Sequence, residues 1–277
     1  CGKDDQRYRR CEIPGRTQQS LTATETAILS RRRVVITGLG VLAPNGNDAE
    51  TFWESIVDGR SGIGPITHFD TSDYEVKIAG EIKDFDPTTA LDRKEARRAD
   101  PFVHFAVDVA REAFKHSGLD AEKINAERFG VVMGTGVGGI KALEDQHTVL
   151  IEKGPKRVSP FLVPMMISDM SAGMVSMKLG AKGPNYSIVS ACASGAHAIG
   201  EAARKIQYDE ADIMVAGGSE AAITPVSMAG FTSAQALSKN NENPLTASRP
   251  FDADRDGFVM GEGAGGVILE EFEHAKS

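Results

Sequence analysis

From Arg33 onward, apolar positions fall into short β-branched runs separated by stretches with helical spacing. Val34, Val35, Ile36 and Thr37 form a β-branched run that stops at Gly38, which predicts a buried strand. Residues 49–58 carry Phe52, Trp53, Ile56 and Val57 at helical spacing. Residues 101–117 predict a longer helix, with Phe102, Phe105, Ala106, Val109, Ala110 and Phe114 on one face and Gly118 as its stop. Val131, Val132 and Met133 predict a second strand that runs into a glycine-rich stretch, 134–139. Helical spacing returns over 166–179 and 191–206, with a short strand at 186–189 between them. Two more strands are predicted at 213–216 and 265–269. Strands alternating with helices predict an α/β layered fold. No tandem repeat is visible.

The helix expected after residue 191 reads ACASGAHAIGEAARKI, with Ala, Ser and Gly on nearly every face of its first turns. A surface helix would show a polar stripe. Small residues all round predict a helix buried between two layers. Gly195 and Gly200 would each cost about 1 kcal/mol relative to Ala in an exposed helix, so close approach of another element is expected at both.

Residues 1–31 differ from the rest: polar, rich in Arg, Gln, Thr and Ser, with little apolar periodicity. They lack the apolar core of a secretory signal, and Asp4, Asp5 and Glu12 weigh against a transit peptide. They read as a disordered or non-native extension. The domain division is therefore 1–31 and 32–277.

The chain has 277 residues, 31 Lys+Arg and 39 Asp+Glu, for a net charge of −8. That balance argues against nucleic-acid binding. No apolar run is long enough to span a bilayer. Of the three Cys, Cys1 and Cys11 lie in the extension and only Cys192 in the globular part, a distribution that fits a reducing compartment.

Three familiar patterns lose their meaning in context. Gly38-x-Gly40-x-x-Ala43 matches a dinucleotide fingerprint, but Pro44, Asn45, Gly46 and Asn47 follow with turn chemistry instead of a helix. The stretch 134–141 resembles a phosphate loop, yet Ile140 separates Lys141 from the glycines and Ala142 stands where Ser or Thr belongs. Asp252, Asp254, Asp256 and Gly257 begin like a calcium loop, but its twelfth position is Gly263; a charged turn is expected. The six His form no zinc spacing, and no organic cofactor motif is present.

Cys192 carries the clearest chemical signal. It lies between a strand and a helix in Ser-Ala-Cys-Ala-Ser-Gly, where the helix N-terminus stabilises negative charge on sulfur. A tight turn there lifts the side chain from the sheet edge, as in a hydrolase elbow. Ala191, Ala193, Ser194 and Gly195 leave room for a substrate and for a backbone N–H to stabilise an oxyanion. A buried apolar Cys is the alternative. His197 lies five residues on, rotated by about 140° along the helix, and is a poor general base for this sulfur.

The stretch from Gly183 to Ile199, GPNYSIVSACASGAHAI, resembles the active-site signature of the β-ketoacyl-ACP synthases. Family-like blocks continue in order from VVITGLGVLAPNG (34–46) through SPFLVP (159–164) and ADIMVAGGSEA (211–221) to LEEFEHAK (269–276). The type most similar is the elongating synthase II. The resemblance implies a thiolase-like five-layer αβαβα fold, of which this chain is the N-terminal half, and a homodimer. It implies acyl transfer from acyl-ACP to Cys192, then decarboxylative condensation with malonyl-ACP, without metal or organic cofactor.

The resemblance also assigns Val137, Phe231, Leu162 and Val163 to the acyl pocket, with core packing as the alternative. It assigns Lys94, Arg97 and Arg98, and separately Lys156 and Arg157, to docking of the acidic carrier; a solvated surface is the alternative. The family's two decarboxylating His and a Lys match no residue here, and a chain ending at Ser277 is expected to be poorly soluble alone. A bacterial cytoplasm is the expected location, a plastid stroma the second. A truncated fragment without full turnover, a polyketide-type ketosynthase and a thiolase are the competing readings.

Overall fold

A computed structural model describes residues 31–277. The extension expected over 1–31, with Cys1 and Cys11, lies outside the described residues except for Arg31. Arg32–Ser277 forms one compact unit. In chain order its elements are β1 (Val34–Leu42), α1 (Ala49–Val57), β2 (Gly64–Pro65), β3 (Ile78–Ala79), α2 (Arg93–Ala96), α3 (Pro101–Ser117), β4 (Phe129–Gly134) and α4 (Ile140–Lys153). There follow α5 (Leu162–Met166), α6 (Met170–Leu179), β5 (Asn185–Ile188), α7 (Ser194–Gln207), β6 (Ile213–Glu220), α8 (Pro225–Ser233) and β7 (Gly263–Glu271).

Five strands form one sheet in the order β1-β7-β6-β4-β5. β5, β4 and β6 run parallel, while β7 and β1 join antiparallel. Side-chain alternation divides the core between two faces. Val131, Met133, Ile213, Val215 and Ile268 pack with Ala106, Val109, Ala110 and Ala113 of α3 and with Ala172 and Val175 of α6. Val132, Met214, Ala216 and Leu269 pack on the opposite face with Ala198, Ala202 and Ile206 of α7. A third cluster, including Ile66, Ile78, Met228 and Leu237, lies around the β2–β3 pair and α8. The expected α/β layering is present: helix, sheet, helix.

Several boundaries differ from the sequence reading. β1 does not stop at Gly38; it continues to Leu42, with a register irregularity between Ile36 and Gly38. The glycines are there for α3. A Cβ on Gly38 would lie 2.0 Å from the Ala113 carbonyl oxygen, and one on Gly40 2.0 Å from that of Val109. The dinucleotide-like spacing thus records a helix lying directly on a strand. Residues 43–46 form the expected turn, with Ala43 and Gly46 exchanging backbone hydrogen bonds.

The helix expected over 166–179 is α6, which begins at Met170, because Ile167 is extended and separates it from α5. The helix expected from 191 begins at Ser194. A buried stripe of Ser194, Ala198, Ala202 and Ile206 faces the sheet, while Ala196, His197 and Gly200 are exposed among the described residues. A Cβ on Gly195 would lie 3.4 Å from Gly218 Cα, but nothing lies within 4 Å of a Cβ on Gly200. In α1 the helical spacing holds, yet Trp53, Ile56 and Val57 remain exposed. α4 and α8 escaped the sequence reading; α8 mixes small and apolar residues with no single apolar face.

Candidate active site

β4, β5 and β6 end together, with Gly134 beside both Ile188 and Gly218. Clefts at the carboxyl ends of parallel strands are where α/β proteins place their chemistry. The chain leaves β5 through Ser190 and turns at Ala191, whose φ of 51° is left-handed. Such a conformation costs a non-glycine residue about 1–2 kcal/mol and persists only where its surroundings impose it. Here Ala193 N–H donates to Ser190 O (3.2 Å) and Ser194 N–H to Ala191 O (3.1 Å). The Ser194 hydroxyl accepts from Ser190 N–H (2.8 Å) and lies 2.6 Å from Ala191 O and 3.1 Å from Thr135 O, to one of which its proton goes.

Cys192 sits at the tip of this elbow, reduced and exposed. The alternative of a buried apolar Cys is not what the structure shows. Ala193, the N-cap of α7, brings no side-chain acceptor to the first helical amides. His197 is exposed and its Nδ1 lies 2.6 Å from Ser190 Oγ, so its partner is the serine before the elbow.

The glycine-rich loop 134–139 borders the elbow. Glu220, the last residue of β6, lays its carboxylate across it and accepts from Gly136 N–H (2.6 Å), Val137 N–H (3.2 Å) and Thr135 Oγ1 (3.0 Å). Burial pushes the Glu220 carboxyl up, while these donors pull it down. An internal carboxylate thus occupies amides that a phosphate loop would offer to phosphate. Behind the loop, buried Asp100 caps α3 through Phe102 N–H (3.3 Å) and accepts from Ala142 N–H of α4 (2.8 Å). Burial raises its carboxyl to about 6.

The four expected acyl-pocket residues belong to none of the three core clusters. Val137 stands half-exposed on the loop beside the elbow. Leu162 and Val163 open α5, which abuts the loop where Gly139 N–H donates to Met166 O (3.1 Å). Phe231 lies on α8, edge-on to Phe258 at 5.6 Å. Glu144 of α4 accepts from the Thr224 hydroxyl and from Val226 N–H (3.1 Å), joining α8 to α4.

The basic residues are all exposed: Lys94 on α2, Arg97 and Arg98 after it, Lys156 and Arg157 in a single turn. The Arg98 guanidinium lies 4.1 Å from the centre of the Phe161 ring, which brings the segment carrying Arg98 against the one that follows Arg157. The Asp252–Gly257 segment is a charged turn, as expected; Asp256 accepts from Ser238 Oγ (2.7 Å) and Lys239 N–H (2.9 Å).

Residues 31–275 match the family model for the N-terminal domain of β-ketoacyl synthases. The chain belongs to the β-ketoacyl synthase family. It is 56% identical over 249 residues to 3-oxoacyl-[acyl-carrier-protein] synthase 2 of Synechocystis, and 50% identical over 248 residues to the Coxiella burnetii protein of that name. Each alignment covers 90% of this chain and 60% of the relative, so the chain spans about three-fifths of the length of these synthases. Among solved structures, a Burkholderia phymatum β-ketoacyl synthase matches with TM-score 0.80 and 30% identity, over 88% of this chain and 60% of that one. A type II PKS ketosynthase in complex with its acyl-carrier protein matches with TM-score 0.77 and 33% identity, over 89% and 60%. These neighbours carry the thiolase-like architecture that the resemblance implied.

Sequence reasoning passed over Glu220 and Thr135, and named Ser194 only as a small neighbour of Cys192; the three hold the loop and the elbow together. Glu220 meets its loop partners 83 to 85 positions away. The one local signal was a Glu at a strand end behind Gly217 and Gly218.

Proposed function

We propose that this chain carries the acyl-transfer centre of a 3-oxoacyl-ACP synthase that elongates fatty-acyl chains. The exposed Cys192 on a left-handed elbow at the end of the parallel strands carries the reading. Its sulfur attacks the thioester carbonyl of acyl-ACP, and a backbone N–H of the elbow stabilises the oxyanion. The tetrahedral adduct collapses, the carbon–sulfur bond to the carrier breaks, and the carrier thiolate takes a proton. The acyl group remains on Cys192. Malonyl-ACP then loses CO2, its C2 carbanion attacks the acyl carbonyl, and the Cys192 thiolate leaves. The product is 3-oxoacyl-ACP, two carbons longer. The decarboxylating step is assigned to no residue of this chain.

Val137, Leu162, Val163 and Phe231 would line the acyl site. Their half-exposed apolar side chains suit an alkyl chain better than a polar substrate, and Val137 stands on the loop beside the elbow. A homodimer is part of the same reading, with β5, one of the sheet's two edge strands, offered to a second copy. A bacterial cytoplasm is part of the same reading, supported by the bacterial origin of the relatives. Identity of 50–56% to proteins named 3-oxoacyl-[acyl-carrier-protein] synthase 2 favours the elongating reading.

Lys94, Arg97, Arg98, Lys156 and Arg157 would receive the acidic carrier. Reversing Arg97 and Arg98 to Glu in the full-length protein is expected to raise KM for acyl-ACP about tenfold or more, with kcat little changed. The effect should shrink as salt rises. A KM unchanged at low salt would remove these residues from the docking surface.

A further inference from the structure

A single carboxylate holds the loop that walls the candidate site beside the elbow. Glu220 accepts three hydrogen bonds from Thr135, Gly136 and Val137, and Thr135 Oγ1 in turn accepts from Gly138 N–H (3.1 Å). The loop is built around this contact. A Cβ on Gly136 would lie 2.7 Å from Glu220 Oε2, so only glycine lets the carboxylate so close. The same Cβ would lie 3.7 Å from Ala191, the left-handed residue of the elbow. The loop also reaches the elbow through Thr135 O and the Ser194 hydroxyl (3.1 Å), which itself holds Ser190 N–H (2.8 Å). Val137 therefore stands where it does because Glu220 pins its amide.

We propose that Glu220 is a positioning residue that fixes Val137 beside the Cys192 elbow and so sets which acyl chains reach the sulfur. The inference rests on the acyl-transfer reading above. Removing the carboxylate strands donors at Gly136, Val137 and Thr135, and the loop must move to find new acceptors. Val137 moves with it, while Cys192 stays on an elbow that has hydrogen bonds of its own. Long acyl chains, which pass Val137, should be affected differently from short ones.

The test uses the full-length protein, with butyryl-ACP and palmitoyl-ACP as acyl donors and iodoacetamide as a small probe of the sulfur. Glu220→Ala is expected to change the palmitoyl-to-butyryl ratio of Cys192 acylation rates about fivefold or more. Alkylation by iodoacetamide should stay within about twofold, because the elbow is intact. Gly136→Ala displaces the same carboxylate oxygen from the other side and should shift the ratio in the same direction. Glu220→Gln keeps one acceptor oxygen and should shift it less.

An unchanged ratio in Glu220→Ala and Gly136→Ala would overturn the proposal. So would an equal loss with both thioesters and iodoacetamide, which would mark a purely structural role. Should Glu220→Ala fail to fold, Glu220→Gln and Gly136→Ala decide by the same ratio. Wild-type protein that takes neither acyl group would instead overturn the acyl-transfer reading itself.

Discussion

Cys192→Ala is expected to lower acyl transfer from acyl-ACP by about 10³-fold or more, to background, with the fold unchanged. The side chain is exposed and belongs to no core cluster, so its loss opens no cavity. The elbow is held by the backbone and by Ser194, none of which involves the sulfur. Melting temperature should therefore stay close to wild type while activity disappears. His197→Ala separates this from a Cys–His pair. A general base contributes about 10²–10⁴-fold, whereas His197 is engaged with Ser190 and its loss should change acylation by less than that. Single-turnover transfer of a radiolabelled acyl group reads both variants. Full activity in Cys192→Ala would remove the nucleophile assignment.

The largest effect on stability is expected from Gly40→Ala. One methyl group would have to occupy space 2.0 Å from Val109 O and 3.0 Å from Ala113 N, both backbone atoms of α3. No side-chain rotation relieves such a clash, so strand and helix must separate. Overpacking of this kind costs about 1–3 kcal/mol, and more where only backbone can yield. A loss of about 3 kcal/mol or more is expected, seen as a lower urea midpoint at unchanged m-value. Gly200→Ala is the control: its Cβ meets nothing within 4 Å, and in a helix interior it should stabilise by about 0.5–1 kcal/mol. Equal midpoints for Gly40→Ala and wild type would contradict the close seating of α3 on β1.

These two positions show how far the sequence could be read. The strand cores at 131–133 and 213–216 were legible as short unbroken apolar runs because both of their faces are covered, and the helix 101–117 because its apolar spacing runs unbroken to Gly118. The elbow was legible because a Cys between a strand and a small-residue helix is a local pattern. Gly38 and Gly40 were visible as glycines but not as a helix seat, since the carbonyls that require them lie about 70 positions away. The starts of α6 at Met170 and of α7 at Ser194 escaped because helical spacing extends a few residues before each. α8 escaped because it lacks an apolar stripe. Glu220 was beyond reach for the same reason as the helix seat: its partners meet it only once β4 and β6 lie side by side.

The most direct test of the central claim is to incubate the protein with acyl-ACP, quench before any condensation, and map the acyl group by peptide mass spectrometry. The account predicts one acyl group per chain, on Cys192, released by hydroxylamine as a thioester should be. An acyl group found on another residue, or a folded protein whose Cys192 remains free under saturating acyl-ACP, would contradict it.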